Sequence, residues 1–352
     1  MKYSIIVPVF NRPDEVDELL ESLCQQEVKD FEVIIVEDGS KKPCKDVCDK
    51  YAGILDLHYY FKENSGPGQS RNYGAERAKG DWLIVLDSDV VLPPNYMAAT
   101  NSKLYTQSPK LNCDAFGGPD ASHPSFTPVQ KAISYSMTSF FTTGGIRGGK
   151  GKKLDKFFPR SYNMGIRREV YQELGGFSKM RFGEDIDFSY RIVEAGYKTA
   201  LIPEAWVWHK RRTDFRKFFR QVYNSGIARI NLEKRHPGTL KLVHLLPMVF
   251  TVGVIALILI AAVARAMIHY DAANWHTWYW ICLLALSPIL FYSLIIFIDS
   301  SIKNKSMKVG LLSVPAAFVQ LMGYGFGFIE SWWKRCVMKK DEFQAFEKNF
   351  YK

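Results

Sequence analysis

The chain has 352 residues, of which 47% are hydrophobic and 23% charged, with a formal net charge of +10 at pH 7. That length leaves room for one soluble domain and something more, and the something more is apolar: nearly all long uncharged runs lie after Leu245, while charged residues dominate before it. The excess charge does not point to nucleic acid, because ten Lys or Arg against only Asp214 and Glu233 fall between Lys210 and Lys241, directly before the first apolar run, where a basic cluster suits an anionic lipid surface.

The opening run, residues 3–10, is short, interrupted by Pro8 and ended by polar residues, so it reads as a buried strand rather than a secretory leader, with the N-terminus expected to stay in the cytoplasm. Residues 14–26 carry helical spacing through Val16, Leu19, Leu20 and Leu23, and residues 31–36 form a second β-branched strand, which together predict a βαβ unit. A helical stretch over 70–79 precedes a third strand at 82–86. Open parallel sheets bind ligands at the carboxyl ends of their strands, so Asn11, Asp38 and Asp87 are expected to line one crevice, although each alone could be a strand-capping turn. The six cysteines are scattered, and Cys44 and Cys48 lack the spacing and second pair of a zinc site, so all are expected to be reduced thiols. The Gly117-Gly118-Pro119-Asp120 stretch and residues 142–151 read as loops around the cleft, the second able to close over a diphosphate through Arg147, Lys150, Lys152 and Lys153, or else simply solvated.

Toward the membrane, Phe215, Phe218, Phe219, Val222, Tyr223, Ile227 and Ile230 recur at helical spacing among Arg216, Lys217, Arg220 and Arg229. The pattern predicts an amphipathic helix over 213–235, either in the headgroup layer or packed on the soluble domain. Residues 245–264 and 278–298 are long and apolar enough to span hydrocarbon, whereas 309–329 is Gly-rich, holds Pro315 and Gln320, and reads as a span, a re-entrant segment or an interfacial one. Lys303, Lys305 and Lys308 in the second connection favour a cytoplasmic N-domain, but a third full span would put the basic tail, 336–352, on the opposite side. The expected division is a soluble domain over 1–230, a membrane domain over 241–335 and that tail.

Two acidic motifs carry the chemistry. Asp87-Ser88-Asp89 follows directly on the third strand, where two carboxylates one residue apart can hold a hard divalent cation that neutralises a diphosphate leaving group, or can be a pair of solvated turn carboxylates. Gly183-Glu184-Asp185-Ile186-Asp187 opens a helical pattern, where acidic residues serve the helix dipole or supply the base that takes a proton from an attacking hydroxyl. Asp185 is the candidate base, with Glu184 and Asp187 orienting the acceptor or fixing the loop.

These pieces, in this order, resemble glycosyltransferase family 2 with its GT-A nucleotide-binding fold, over roughly residues 1 to 230. Ser4-Ile5-Ile6-Val7-Pro8-Val9-Phe10-Asn11 looks like the family's opening strand and nucleotide loop, which assigns Pro8 and Asn11 to the donor. Val36-Glu37-Asp38-Gly39-Ser40 resembles the base-recognition turn, with Asp38 implied at the nucleotide base and Glu37 standing where Asp is more usual. Asn64-Ser65-Gly66-Pro67-Gly68-Gln69-Ser70-Arg71-Asn72 matches the segment before the metal strand and implies a donor role for Arg71. By the same resemblance Asp89 is the direct metal ligand, Asp87 lies nearer the ribose or metal-bound water, and His209 completes the metal or diphosphate site, or else is structural. Asn163-Met164-Gly165-Ile166-Arg167-Arg168, then Gly175-Gly176-Phe177, then Gly183-Glu184-Asp185 is similar to the acceptor-side signature, with Asp185 the base and Glu184 beside it.

The resemblance implies an inverting, Mg2+- or Mn2+-dependent transfer of one sugar from a nucleotide-sugar donor, commonly a UDP-sugar. The acceptor would be a lipid-linked or membrane-proximal glycan in cell-envelope polysaccharide or glycolipid synthesis. The implied location is the inner (cytoplasmic) membrane, multi-pass, with membrane lipids as partners, no nucleic acid, and the catalytic domain in the cytoplasm. Residues 220–226 lack the Gln-X-X-Arg-Trp motif of processive synthases, which favours single transfer. Alternatives are a polyprenyl-phosphate glycosyltransferase, against which Glu184 and Asp185 argue, and a catalytically idle membrane scaffold, against which the intact carboxylates argue.

Overall fold

A computed structural model describes residues 2–106, 111–144, 157–180 and 182–346, and the segment expected to close over a diphosphate falls, from residue 145 on and with Arg147, Lys150, Lys152 and Lys153, outside them. In chain order the strands are β1 (Tyr3–Val9), β2 (Phe31–Asp38), β3 (Leu57–Lys62), β4 (Trp82–Leu86), β5 (Val90–Val91), β6 (Ala115–Gly117), β7 (Asp120–Ala121), β8 (Asn163–Arg167), β9 (Thr199–Leu201) and β10 (Val207–His209). Seven form one mixed sheet in the order β3-β2-β1-β4-β8-β6-β9, and β5, β10 and β7 form a small second sheet. β3, β2, β1 and β4 run parallel, so the segments after β1, β2 and β4 emerge at one edge.

The continuous apolar runs of β1, β2 and β4 follow from burial on both faces of the sheet. Alternation sends Ile5 and Val7 into one core with Leu19, Leu20 and Leu23 of the Pro13–Cys24 helix, and Ile6 into a second core with Ile34, Val36, Leu83, Phe177 and Phe188. Each such side chain contributes roughly 1.5–3 kcal/mol through its removal from water.

Gly117-Gly118-Pro119-Asp120 departs from its expectation as a flexible loop. Gly117 closes β6, Asp120 opens β7, and a Cβ on Gly118 would run into the carbonyl of Ala205, so these glycines permit close backbone packing. The helix at Lys45–Tyr51 and edge strand β3 lie where the sequence offered no clear period, since β3 is only partly buried along its length. All six cysteines are free; the sulfurs of Cys44 and Cys48 stand 4.0 Å apart in the core.

The chain packs as two units, and the division is not a single cut near residue 230. The first gathers the described residues up to His123, those from 157 to Lys210, and Phe346. The second joins Pro124 to residue 144 with Arg211 to Ala345. The Pro128–Thr138 helix falls in the second unit because Ala132, Ile133, Tyr135 and Met137 pack against Phe218, Val222, Val309, Ala316, Ala317 and Ile296 there, while the Tyr135 hydroxyl donates to Asp299 at 2.6 Å.

The second unit holds three helices long and apolar enough to cross a membrane, Leu242–Tyr270, Trp275–Asn304 and Met307–Val337. The third is one continuous α-helix over Met307–Trp332 despite Pro315. Two of its glycines form a contact face for the Phe215–Arg235 helix: a Cβ on Gly323 would press on Val222, one on Gly327 would meet the carbonyl of Tyr223, and one on Gly226 would meet that of Tyr324. The apolar stripe expected in the headgroup layer is therefore covered by another helix of the chain, in the small-residue packing that brings helix backbones close.

Gly226→Leu is expected to lower the stability of the detergent-solubilised chain by about 3 kcal/mol through overpacking. Gly253→Ala, whose Cβ meets nothing within 4 Å, is expected to shift it by less than about 1 kcal/mol. Thermal unfolding of both variants followed by circular dichroism checks the contrast.

Candidate active site

The first unit concentrates its buried charge at the edge where β1, β2 and β4 end. Asp87, Ser88 and Asp89 form the turn between β4 and β5, and antiparallel pairing of β5 with β10 sets His209 opposite Val90, the neighbour of Asp89. The Lys210 amide donates to the Asp89 carbonyl at 3.0 Å and locks that register. As a result one ligand atom each from Asp87, Asp89 and His209 lies within 4.8 Å of the others. His209 Nε2 is 3.3 Å from Asp89 Oδ1, its ring stacks on Tyr162 at 5.0 Å and 26°, and its Nδ1 is buried without a hydrogen-bond partner.

Arg12 donates to the second oxygen of Asp89. Burial works to raise the Asp89 pKa, but the hydrogen bonds and charges of His209 and Arg12 outweigh it and hold the carboxyl far below the usual range. A carboxylate kept ionised at 6% exposure, with a second carboxylate and an imidazole beside it, is a donor set that suits Mg2+ or Mn2+, the imidazole favouring the latter.

Arg71 joins this cluster to the second acidic motif. It projects from the Pro67–Ala75 helix and is 3% exposed. Its Nη2 donates to Asp87 Oδ1 at 2.8 Å and its Nη1 to Glu184 Oε1 at 3.0 Å, across 113 residues of sequence. The guanidinium is thus held between two carboxylates from separate motifs.

Gly183, at φ +87°, turns the chain into the Glu184–Glu194 helix and presents Glu184 and Asp185 in its first turn. Burial pushes Glu184 upward, Arg71 opposes it, and the charge of Asp185 adds to the rise. Asp185 is held the other way. Burial raises it, but Arg160, donating from Nε to Oδ2 at 2.6 Å, and then Arg71 bring its pKa below the ordinary value.

The remaining expected residues also have contacts within the chain. Asp187 accepts from Ser178 at 2.7 Å and from Arg191 at 3.1 Å, and Arg191 donates onward to the carbonyls of Leu174 and Gly176, so Asp187 fixes the loop rather than facing an acceptor. Asp38 directs both carboxylate oxygens to its own chain: Lys62 and the Ser65 amide on Oδ1, the Gly66 amide on Oδ2. It anchors the loop that starts the Arg71 helix and has no direct link to Asp89 or Asp185. Asn11, at φ 56°, accepts from the amides of Lys41 and Lys42 and ties the β1 and β2 loops together, with Pro8 three residues earlier in β1. Sequence reasoning missed Arg12, Arg160 and Tyr162; only the adjacency of Arg12 to Asn11 could have marked one of them.

Comparisons with known proteins bear on this geometry. Residues 4–175 match the family described as Glycosyl transferase family 2. An uncharacterized glycosyltransferase of Haemophilus influenzae is 32% identical over 209 residues, covering 54% of this chain and 62% of that protein. The validoxylamine A glucosyltransferase of Streptomyces hygroscopicus is 26% identical over 229 residues, covering 58% of this chain and 54% of its own. The chain thus spans less than two thirds of the length of either relative. Among solved structures, a mannosyltransferase of Pyrobaculum calidifontis in complex with GDP-Man and Mn2+ aligns over 95% of this chain and 88% of its own with a TM-score of 0.55 at 15% identity, a likeness of fold. Residues 4–175 are therefore similar to a family 2 glycosyltransferase domain, in a mixed-sheet fold of the GT-A type, followed in this chain by three apolar helices.

Asn72 keeps the acceptor-side signature in place. Its Nδ2 donates to the Phe177 carbonyl, and its Oδ1 accepts from the Phe177 amide and the Tyr171 hydroxyl, each within 2.8 Å. Asn72→Ala is expected to destabilise the chain by about 2 kcal/mol or more, because two buried donors lose their partner. Denaturant unfolding of the full chain in detergent checks this.

Proposed function

We propose that the chain is a membrane-attached glycosyltransferase that moves one sugar, with inversion, from a nucleoside-diphosphate donor to an acceptor hydroxyl. The observation that carries the reading is the Arg71 bridge, which joins the Asp87-Ser88-Asp89 turn to Glu184 and so brings the donor-side and acceptor-side carboxylates into one network.

Asp87, Asp89 and His209 would hold a Mg2+ or Mn2+ ion, which when bound neutralises negative charge on the departing diphosphate. Arg12 keeps Asp89 oriented and ionised. Asp185, ionised at neutral pH by Arg160, is placed to take the proton from the acceptor hydroxyl as its oxygen bonds to the anomeric carbon and the bond from that carbon to the diphosphate oxygen breaks. Glu184, through Arg71, keeps the base and the Asp87 turn in fixed relation.

The three apolar helices and the basic cluster between Lys210 and Lys241 support a lipid-linked or membrane-proximal acceptor and an N-terminal domain on the cytoplasmic side of the inner membrane. The relatives named above support a sugar-nucleotide donor, and a UDP-sugar is the first to test.

A panel of nucleotide sugars with and without Mn2+, assayed for donor hydrolysis and for transfer to a membrane lipid extract, tests the reading. Asp89→Ala and Asp185→Ala are each expected to lower turnover by at least about 100-fold, the scale of a lost catalytic group, with the circular dichroism spectrum unchanged. Full turnover in either variant removes the assignment. Arg160→Gln is expected to move the acid limb of the kcat/KM profile to higher pH: the Arg160 charge lowers the Asp185 pKa, so its loss lets the base protonate nearer neutrality. A pH–rate series on the variant measures the displacement.

A further inference from the structure

A second group of metal-ligand side chains lies at the opposite end of the sheet, and we propose that it is a structural site for a zinc-class divalent cation. Its members are Glu32 of β2, His58 of β3 and Asp56 just before β3. Ile34 pairs with His58 in the parallel register and the Val33 amide donates to the Asp56 carbonyl at 2.8 Å, so Glu32, Asp56 and His58 stand on one face of the two strands. Glu32 is six residues before Asp38 on the same strand, roughly 20 Å from the end that carries Asp38. The candidate active site is therefore not involved.

The two oxygens of Glu32 are treated differently. Oε1 accepts from the Ser4 hydroxyl and the Lys79 amide, each at 2.6 Å. Oε2 is buried with no hydrogen bond, on a residue that is 0% exposed. It lies 3.4 Å from His58 Nε2, which lies 3.1 Å from Asp56 Oδ1. His58 Nε2 is also buried and makes no hydrogen bond, so its N–H direction meets neither carboxylate despite the short distances.

That arrangement is a poor salt bridge and a good coordination edge. Four ligands at the 2.0–2.1 Å bonds of zinc stand about 3.3 Å apart around a tetrahedron, and the two observed separations fall on either side of that value. Among the described residues no Lys or Arg side chain pairs with Glu32, so the buried Oε2 of this carboxylate faces only a histidine. A dication balances Glu32 and Asp56 together, with water in the fourth position. It would clamp edge strand β3, whose own burial is slight, to β2.

Cobalt(II) is the probe, since it takes zinc sites and shows its coordination by visible absorption. Metal-stripped full-length protein in detergent is dialysed against Co2+, and bound metal is counted in the wild type, in Asp89→Ala/His209→Ala, and in each background with His58→Ala. The expected result is one Co2+ in Asp89→Ala/His209→Ala with tetrahedral visible bands, and at least a tenfold weaker affinity once His58→Ala is added. In the otherwise native background His58→Ala is expected to remove one bound ion and lessen the cobalt-dependent rise in unfolding temperature. Co2+ binding that His58→Ala leaves unchanged in the native background, or a native chain that binds no ion sensitive to His58, overturns the proposal.

Discussion

The candidate active site depends on one buried guanidinium held between two carboxylates. Arg71 is almost fully enclosed, and burying such a charge is unfavourable unless it is paired and hydrogen-bonded. Asp87 and Glu184 meet that requirement from either side, and they belong to motifs that are distant in the chain. The balance reaches further, since the same cation lowers the pKa of Asp185 while the Asp185 charge raises that of Glu184. Removing any one of these groups leaves an uncompensated charge in a site with little water.

Around this bridge polar side chains from the same motifs fasten the chain to itself. Asp38 closes the loop ahead of the Arg71 helix, Asn72 grips the Phe177 backbone, and Asp187 acts through Arg191 on the Gly176 carbonyl. The reason is shared: loops expose backbone amides and carbonyls that need partners once buried, and polar side chains supply them, directly at Asp38 and Asn72 and through Arg191 at Asp187. Residues that hold a site and residues that touch its ligands are drawn from the same amino-acid types, so type and position alone do not separate the two roles.

In the second unit, the close approach of the Phe215–Arg235 helix to the third apolar helix explains two features that looked contradictory in sequence. Two of the glycines that made 309–329 a weak span, Gly323 and Gly327, are the surface against which the amphipathic helix packs, and that helix has an apolar face because a neighbour covers it. Small residues weaken a hydropathy signal and strengthen a backbone contact at the same time. The Pro128–Thr138 helix joins this unit from the middle of the chain, which no composition shift announces.

The sequence by itself determined the parallel strands, the acidic turn at Asp87 and Asp89, the Gly-Glu-Asp helix start and the existence of three long apolar segments, because each is written in local periodicity or local chemistry. It also pointed to His209, through resemblance rather than through any pattern of its own. Only the tertiary structure decided that β5 and β10 pair so as to bring His209 against Asp89, that Arg12 and Arg160 are the partners of the key carboxylates, and that Arg71 and Asp38 face their own chain. The same holds for the meeting of Glu32, Asp56 and His58, which depends on strand register. These are contacts between residues tens to more than a hundred positions apart, and their geometry follows from how sheets and helices stack, which no window along the chain contains.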